Sequence, residues 1–404
     1  MKTKILLLAA LMLLAVVPIT HAQDQVTITF WHTYNEVSPE NQTLTDTLIP
    51  SFEAAHPNIH VESVPYPYDG FRQALLTSAA GGESPDLVRL DIIWSPEFAA
   101  QGIIMNLSEQ MPDFQEYADK VFPGPLSTNA YNGSYYGLPL DTNTRVFIYN
   151  PQVVATPPET IDELAALCGT LPEGSFVFSD GGTSGWNLLP WIWSFGGDIT
   201  DEAMTTSTGY VNGEKTVAAI QFLHDMIANG CFSDGYIGSG IDTWGGYFGG
   251  TIASMLEGPW LYPTAESQYP DFEIGAALMP AGDGGHISVV GGENIVLSAN
   301  SAHPEEAMEF LRFTQSDEYQ LAMSAVGQLT VLSGLLQNEY FTNHPYYGIF
   351  LEQLQTARAR TPHPRYNEIE TVLSDAAQLA LRGEMSAQEA MDAAAEEIDA
   401  LLAP

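Results

Sequence analysis

The order of segments along this chain predicts an α/β fold. Strand-like stretches, starting with the alternating Val26-Thr27-Ile28-Thr29-Phe30-Trp31, are separated by helical segments. That grammar implies βαβ units and a parallel sheet. Roughly 380 residues follow the first 22, enough for two domains with substantial cores. Hydrophobic residues make up 45% of the chain, as in globular proteins.

The elements follow in order. After the first strand, a helical stretch around Leu44 to Ala55 stops at His56-Pro57. Ile59-His60-Val61-Glu62 alternates as a second strand, and a helix from Tyr68 to Ala80 ends at Gly81-Gly82. Asp86 to Ile93 reads as a third strand. In the middle of the chain Ile148-Tyr149-Asn150 ends a strand, and Thr160 with Glu163 forms a capping box for a helix to Cys168. Phe176-Val177-Phe178 is a short strand. A helix from Glu214 to Asn229-Gly230 carries Val217, Ile220, Leu223 or His224, and Ile227 on one face. Ile252–Leu256 and Ile274–Met279 read as buried strands, and Pro304 opens a helix through Ser316. The last helix has a capping box, Ser386 and Glu389, and an apolar stripe of Met391, Ala394, Ala395, Ile398 and Leu401. That stripe is expected to pack against the body of the protein, with partner binding the alternative.

Residues 1–22 read as a signal peptide. Lys2 and Lys4 precede a 13-residue apolar run, Ile5 to Val17, too short to span a bilayer, and Thr20-His21-Ala22 supplies a small residue before the polar chain. The remainder is expected to be exported, periplasmic or extracellular. The formal charge is −38, and it becomes −40 without Lys2 and Lys4, because residues 1–22 contain no acid. Nucleic acid and anionic lipid are poor partners for a chain with that balance, since phosphate contacts need Lys and Arg. The acidity reads either as adaptation to a salty or acidic exterior or as a solubilising surface. In an oxidising compartment the two cysteines, Cys168 and Cys231, are expected to form a disulfide; two separately buried thiols are the alternative.

Several segments stand in order along the chain: ITFWHTYN, FEAAHPNIHVESVPY, AAGGESPDLVRLDIIW, NGSYYGLPLDTNTRVFIYN, SMLEGPW, GGENIVLSANSAHPEEAMEFLRF and the tail ALRGEMSAQEAMDAAAEEIDALL. Together they resemble the extracellular sugar-binding proteins of ABC importers, the maltose-binding-protein-like group. The resemblance spans nearly the whole chain after residue 22. It departs in one respect: many members carry a lipid-modified Cys at the mature N-terminus, and none follows the apolar run here. The resemblance implies a two-lobe periplasmic-binding-protein fold of type II, with discontinuous lobes joined by hinge crossovers. The N-terminal lobe would comprise residues 23–140 and 281–330, and the C-terminal lobe residues 141–280 and 331–404. Crossings are expected near residues 140–145, 275–280 and 331–340. The implied activity is capture of a mono- or oligosaccharide and its delivery to the membrane subunits of an ABC importer, by a monomer without cofactor or metal.

A sugar needs aromatic faces to stack on and carboxylates or amides for its hydroxyls. In open α/β sheets such groups lie just beyond the carboxyl ends of strands. That singles out Trp31, His32, Asn35 and Glu36 after the first strand, with core packing the alternative for Trp31 and plain surface for Asn35 and Glu36. Asp91 and Trp94 follow the third strand; Asp91 interrupts an apolar run and so needs a partner, from ligand or protein. Asp141 and Asn143 sit at the first crossing, where Asp141 could instead pair with Arg145. Trp186 follows the Gly-rich loop Gly181-Gly182-Thr183-Ser184-Gly185. By the family resemblance, Trp260 of Gly258-Pro259-Trp260 faces the cleft, and Gly292 and Glu293 lie where backbone amides face the ligand. Arg365 before the closing helices completes the set.

Enzyme signatures are missing. The sequence contains no G-x-S-x-G, H-E-x-x-H, paired C-x-x-C or G-x-x-x-x-G-K pattern. The reading is therefore a binding protein rather than an enzyme. The alternatives are a binding protein for a phosphorylated polyol or cation, and a secreted carbohydrate-active enzyme using two carboxylates.

Overall fold

The computed structural model describes residues 25–344 and 346–403. The expected signal peptide, 1–22, lies outside the described residues. No helix among the described residues is long and apolar enough to cross a membrane.

The described residues form ten strands: β1 Val26–His32, β2 Ile59–Pro65, β3 Leu87–Asp91, β4 Ala130–Tyr131, β5 Ser134–Tyr135, β6 Leu138–Thr144, β7 Val146–Tyr149, β8 Ser254–Glu257, β9 Gly275–Ala277 and β10 Val290–Leu297. β4 and β5 make a small hairpin of their own, and the others build two sheets. The first has the order β2-β1-β3-β10-β6 and the second β8-β7-β9. The expected parallel pairing holds for β2-β1-β3, where Val26 stands beside Ile59 and Phe30 beside Leu87. It fails elsewhere. β10 runs antiparallel to both β3 and β6, and the second sheet is antiparallel throughout. The reason is topological: β10 enters the first sheet from the second, not through a crossover helix on the first.

The chain passes from the first sheet to the second across a single residue, Arg145. It remains with the second through Gly284, whose amide donates to Ser194, and returns at β10. The return thus lies closer to Val290 than to residues 275–280. Later, Leu329 bridges to Thr142 and Ser333 bonds to Lys120 of the first lobe, before helix Tyr347–Leu354 packs on β6 and β7.

Local chemistry sets the ends of several helices. The helical stretch expected from Leu44 begins earlier, at Pro39, where Ser38 accepts from the amide of Asn41, and it includes a wider turn over Leu44–Leu48. His56 ends it, as expected. Helix Tyr68–Gly81 stops at Gly82, whose φ of +75° favours glycine. Thr160 caps helix Ile161–Ala166 through the amide of Glu163, but Glu163 answers to Glu159 rather than Thr160, so the box is half formed. The Phe176–Phe178 segment forms single bridges to Ile252 and Phe232 instead of a strand. Helix Glu214–Ala228 buries Thr216, Ala219, Ile220 and Leu223, a face rotated slightly from the expected one. The Ser386–Glu389 capping box is complete, and helix Ala387–Leu402 packs its stripe on helix Tyr366–Leu381. Cys168 and Cys231 form a disulfide across 63 residues.

Candidate functional site

A cavity of about 390 Å3 opens between the two sheets, where β3, β6 and β10 run out toward the second. Its first-lobe wall begins with β3. Arg89 and Asp91 point the same way from this strand, two residues apart. Both are buried. Asp91 Oδ2 accepts from the Tyr68 hydroxyl at 2.8 Å, and Oδ1 accepts from the amide of Ile93 at 3.0 Å. Arg360 Nη2 lies 3.4 Å from Oδ1.

Beside this pair, Arg89 contacts Glu293 at 2.6 Å and Asp141 at 3.3 Å, donates to Thr33 at 2.7 Å, and covers the ring of Tyr34. Burial pushes the Glu293 carboxyl well above the usual carboxylate range; Arg89 pulls it down and Asp141 pushes it up again. Burial opposes the charge on Arg89 too, but Glu293, Tyr34 and Asp141 hold it protonated. Gly291 pairs with Asn143 in the β10–β6 ladder. A Cβ at Gly291 would run into Asn143 Oδ1 and the Trp186 ring, so glycine is what lets both reach the cleft.

The second-lobe wall is aromatic. Trp186 stands in the first turn of helix Gly185–Ser194, and Trp260 follows β8 through Gly258-Pro259. Their ring centroids are 6.3 Å apart at 31°. One face of the Trp260 ring lies on Gly258, where a Cβ would collide with it. The guanidiniums of Arg145 and Arg360 sit 5.6 Å and 5.5 Å from the Trp186 ring centre. Glu370, from helix Tyr366–Leu381, accepts from the amide of Gly185 at 2.7 Å; burial pushes its carboxyl up, with Arg360 opposing. Arg145, between the sheets, pairs with Asp180 at 2.8 Å and donates to Asn187 at 2.8 Å.

Six of the sequence-derived residues line this cavity: Asp91, Asn143, Trp186, Trp260, Gly292 and Glu293. The others lie elsewhere. Trp31 is half-buried and leans on Tyr66, centroids 4.5 Å apart. His32 is buried, bonds Ser63 at 2.7 Å, and has its pKa pushed down to about 3 by burial and by Arg89. Asn35 and Glu36 are exposed, and Asn35 caps the amide of Val37. Trp94 is buried, its indole bonded to Asn367. Asp141 lies under the floor, paired with Arg89 and not with Arg145. Arg365 is exposed and pairs with Glu368 at 2.7 Å.

Sequence reasoning missed Tyr68, Arg89, Gln328, Arg360 and Glu370 as lining residues. Arg89 carried a signal, since it interrupts the apolar run Leu87–Leu90 just as Asp91 ends it. Glu370 carried none, because one acid on an amphipathic helix reads as solvent-facing.

Two lobes with a polar and aromatic cleft between them define a periplasmic-type binding protein of type II. The chain belongs to the bacterial extracellular solute-binding protein family, whose pattern matches residues 47–347. It is 26% identical over 369 residues to a binding protein of Brucella abortus, covering 87% of this chain and 88% of that one. Its fold is similar to the GacH receptor of Streptomyces glaucescens, solved unliganded and with acarbose, with a TM-score of 0.84, 23% identity and 93% and 98% of the two chains covered. It is also similar to maltose-bound T. maritima MalE3, with a TM-score of 0.83, 24% identity and 93% and 99% covered.

Proposed function

We propose that this protein captures a sugar between its lobes and delivers it to the membrane subunits of an ABC importer, acting as an exported monomer and leaving its ligand intact. The carrying observation is the pairing of opposite walls. Trp186 and Trp260 offer ring faces from the second lobe, while Asp91, Asn143 and Glu293 offer polar atoms from the first. That combination suits a molecule with apolar ring faces and a girdle of hydroxyls.

Charge narrows the class. Arg89 and Arg360, the arginines that line the cavity, are each already paired with carboxylates. A phosphorylated ligand would have to displace those partners, so a neutral polyhydroxy compound fits better. The acarbose and maltose bound by the structurally similar proteins fall in that class.

A thermal-shift screen against a carbohydrate panel tests the proposal, because a ligand that binds only the folded state raises the melting temperature. At least one neutral sugar is expected to shift it, and chromatography of the incubated sugar is expected to show no cleavage. A panel without any shift, or hydrolysis of a ligand, overturns the reading.

A further inference from the structure

The two lobes are joined beside the cleft by a contact that uses none of the cavity-lining atoms. Asn367 stands in the first turn of helix Tyr366–Leu381, which packs on helices Glu214–Ala228 and Ala387–Leu402 of the second lobe. Its Oδ1 accepts from the Trp94 indole at 3.1 Å, and its Nδ2 donates to Glu97 Oε2 at 3.3 Å. Trp94 and Glu97 belong to the first lobe, at and just inside helix Ser95–Ala100, which follows β3. Both are buried, at 4% and 7% exposure, and first-lobe groups hold each of them. Arg72 grips Glu97 through both carboxylate oxygens, with Nε to Oε2 at 2.7 Å, and Gln101 donates to it at 3.2 Å. Trp94 in turn stacks on Tyr68, centroids 5.2 Å apart, and Tyr68 both lines the cavity and donates to Asp91.

We propose that Asn367 is a positioning residue: with Trp94 and Glu97 it forms a clasp that holds the lobes together before ligand arrives and sets Tyr68 against the cleft. Separating the lobes would strip an indole donor and a carboxylate of a partner that matches both. A single amide, donor on one side and acceptor on the other, is suited to this; neither an acid nor an aliphatic residue could replace it. The proposal rests on the two-lobe capture reading above. A protein whose closed state is favoured by such a contact binds more tightly, because less of the ligand's interaction goes into closing it.

Small-angle X-ray scattering on the unliganded full-length mature protein tests the clasp without any ligand. Asn367→Ala removes both bonds. Asn367→Asp keeps the acceptor for Trp94 but sets a carboxylate against Glu97. Both are expected to raise the radius of gyration over the parent, with unchanged far-UV circular dichroism. N367D combined with Glu97→Gln, which presents an amide donor to the new carboxylate, is expected to bring the curve back toward the parent. Scattering of both single variants identical to the parent overturns the clasp. Maltose serves as the ligand probe: its Kd is expected to rise about tenfold in Asn367→Ala, within the usual range of coupling between a conformational equilibrium and binding. Expanded scattering with an unchanged Kd supports the clasp and overturns its coupling to capture. Failure of the parent to bind maltose bears on the capture reading alone, and the scattering still decides the clasp.

Discussion

Arg360 and Asp91 tie the segment that leads into helix Tyr366–Leu381 to the end of β3, with Nη2 3.4 Å from Oδ1 and both side chains buried. The pair sits in the cavity wall, so each residue is structural and ligand-facing at once. Removing only the carboxylate would leave a buried guanidinium without its ion-pair partner and with Glu370 as the remaining acid acting on it, a change that costs up to about 3–5 kcal/mol. Asp91→Ala is therefore expected to lose stability as well as ligand affinity. Urea unfolding should show the loss, and adding Arg360→Met should recover part of it. A double variant no more stable than Asp91→Ala would show that the pair does not couple.

Trp260 should carry more of the binding than any polar group. Trp260→Ala is expected to weaken sugar binding about a hundredfold. Gly258→Ala should also weaken it, by about tenfold, because the new Cβ would push the Trp260 ring from its seat. Trp31→Ala and Glu36→Ala, outside the cavity lining, should stay within about threefold of the parent. Calorimetric titration with the sugar found by the screen checks all four variants.

The Cys168–Cys231 disulfide closes a 63-residue separation within the second lobe. By loop-closure entropy a bridge of that span is worth about 4 kcal/mol. Replacing both cysteines with serine should lower the denaturation midpoint accordingly. Intact-mass measurement after alkylation of the native, unreduced protein should find no free thiol.

Stability should pass through a maximum as pH varies. Burial raises the carboxyls of Glu293, Glu370, Asp180 and Glu257 in the folded state. For such acids the folded state holds protons that the unfolded chain gives up, so stability falls as pH rises through their folded pKa values. His32 works the other way. With its pKa down at about 3, it stays neutral in the fold while the unfolded chain takes up a proton below about pH 6.5, so acid destabilises. The melting temperature is expected to fall on both sides of a maximum, and Glu293→Gln should flatten the alkaline limb. Added NaCl should raise the melting temperature, since the formal charge is −38.

Local signals were legible in the sequence because local physics makes them. Alternation marked β1 and β2, Gly82 and His56 marked helix ends, and Ser386 with Glu389 marked the last helix. Asp91 stood out because a charge ending an apolar strand requires a partner. The rule that places ligands beyond strand ends was less discriminating. It found Asp91 after β3, but after β1 it selected Trp31 and His32, which face Tyr66 and Ser63 instead.

The sequence by itself determined the family and many of the local elements, and it singled out Trp186 and Trp260, which line the cavity. Tertiary structure alone decided the antiparallel entry of β10, the pairing of Asp141 with Arg89 rather than Arg145, and the arrival of Arg360, Glu370 and Asn367 beside β3 and its following helix. The physical reason is range. Periodicity, caps and turns are written within a few residues of one another, whereas a charge's partner is whichever group the fold brings within a few ångströms. For Asp91 and Arg360 that partner lies 269 residues away.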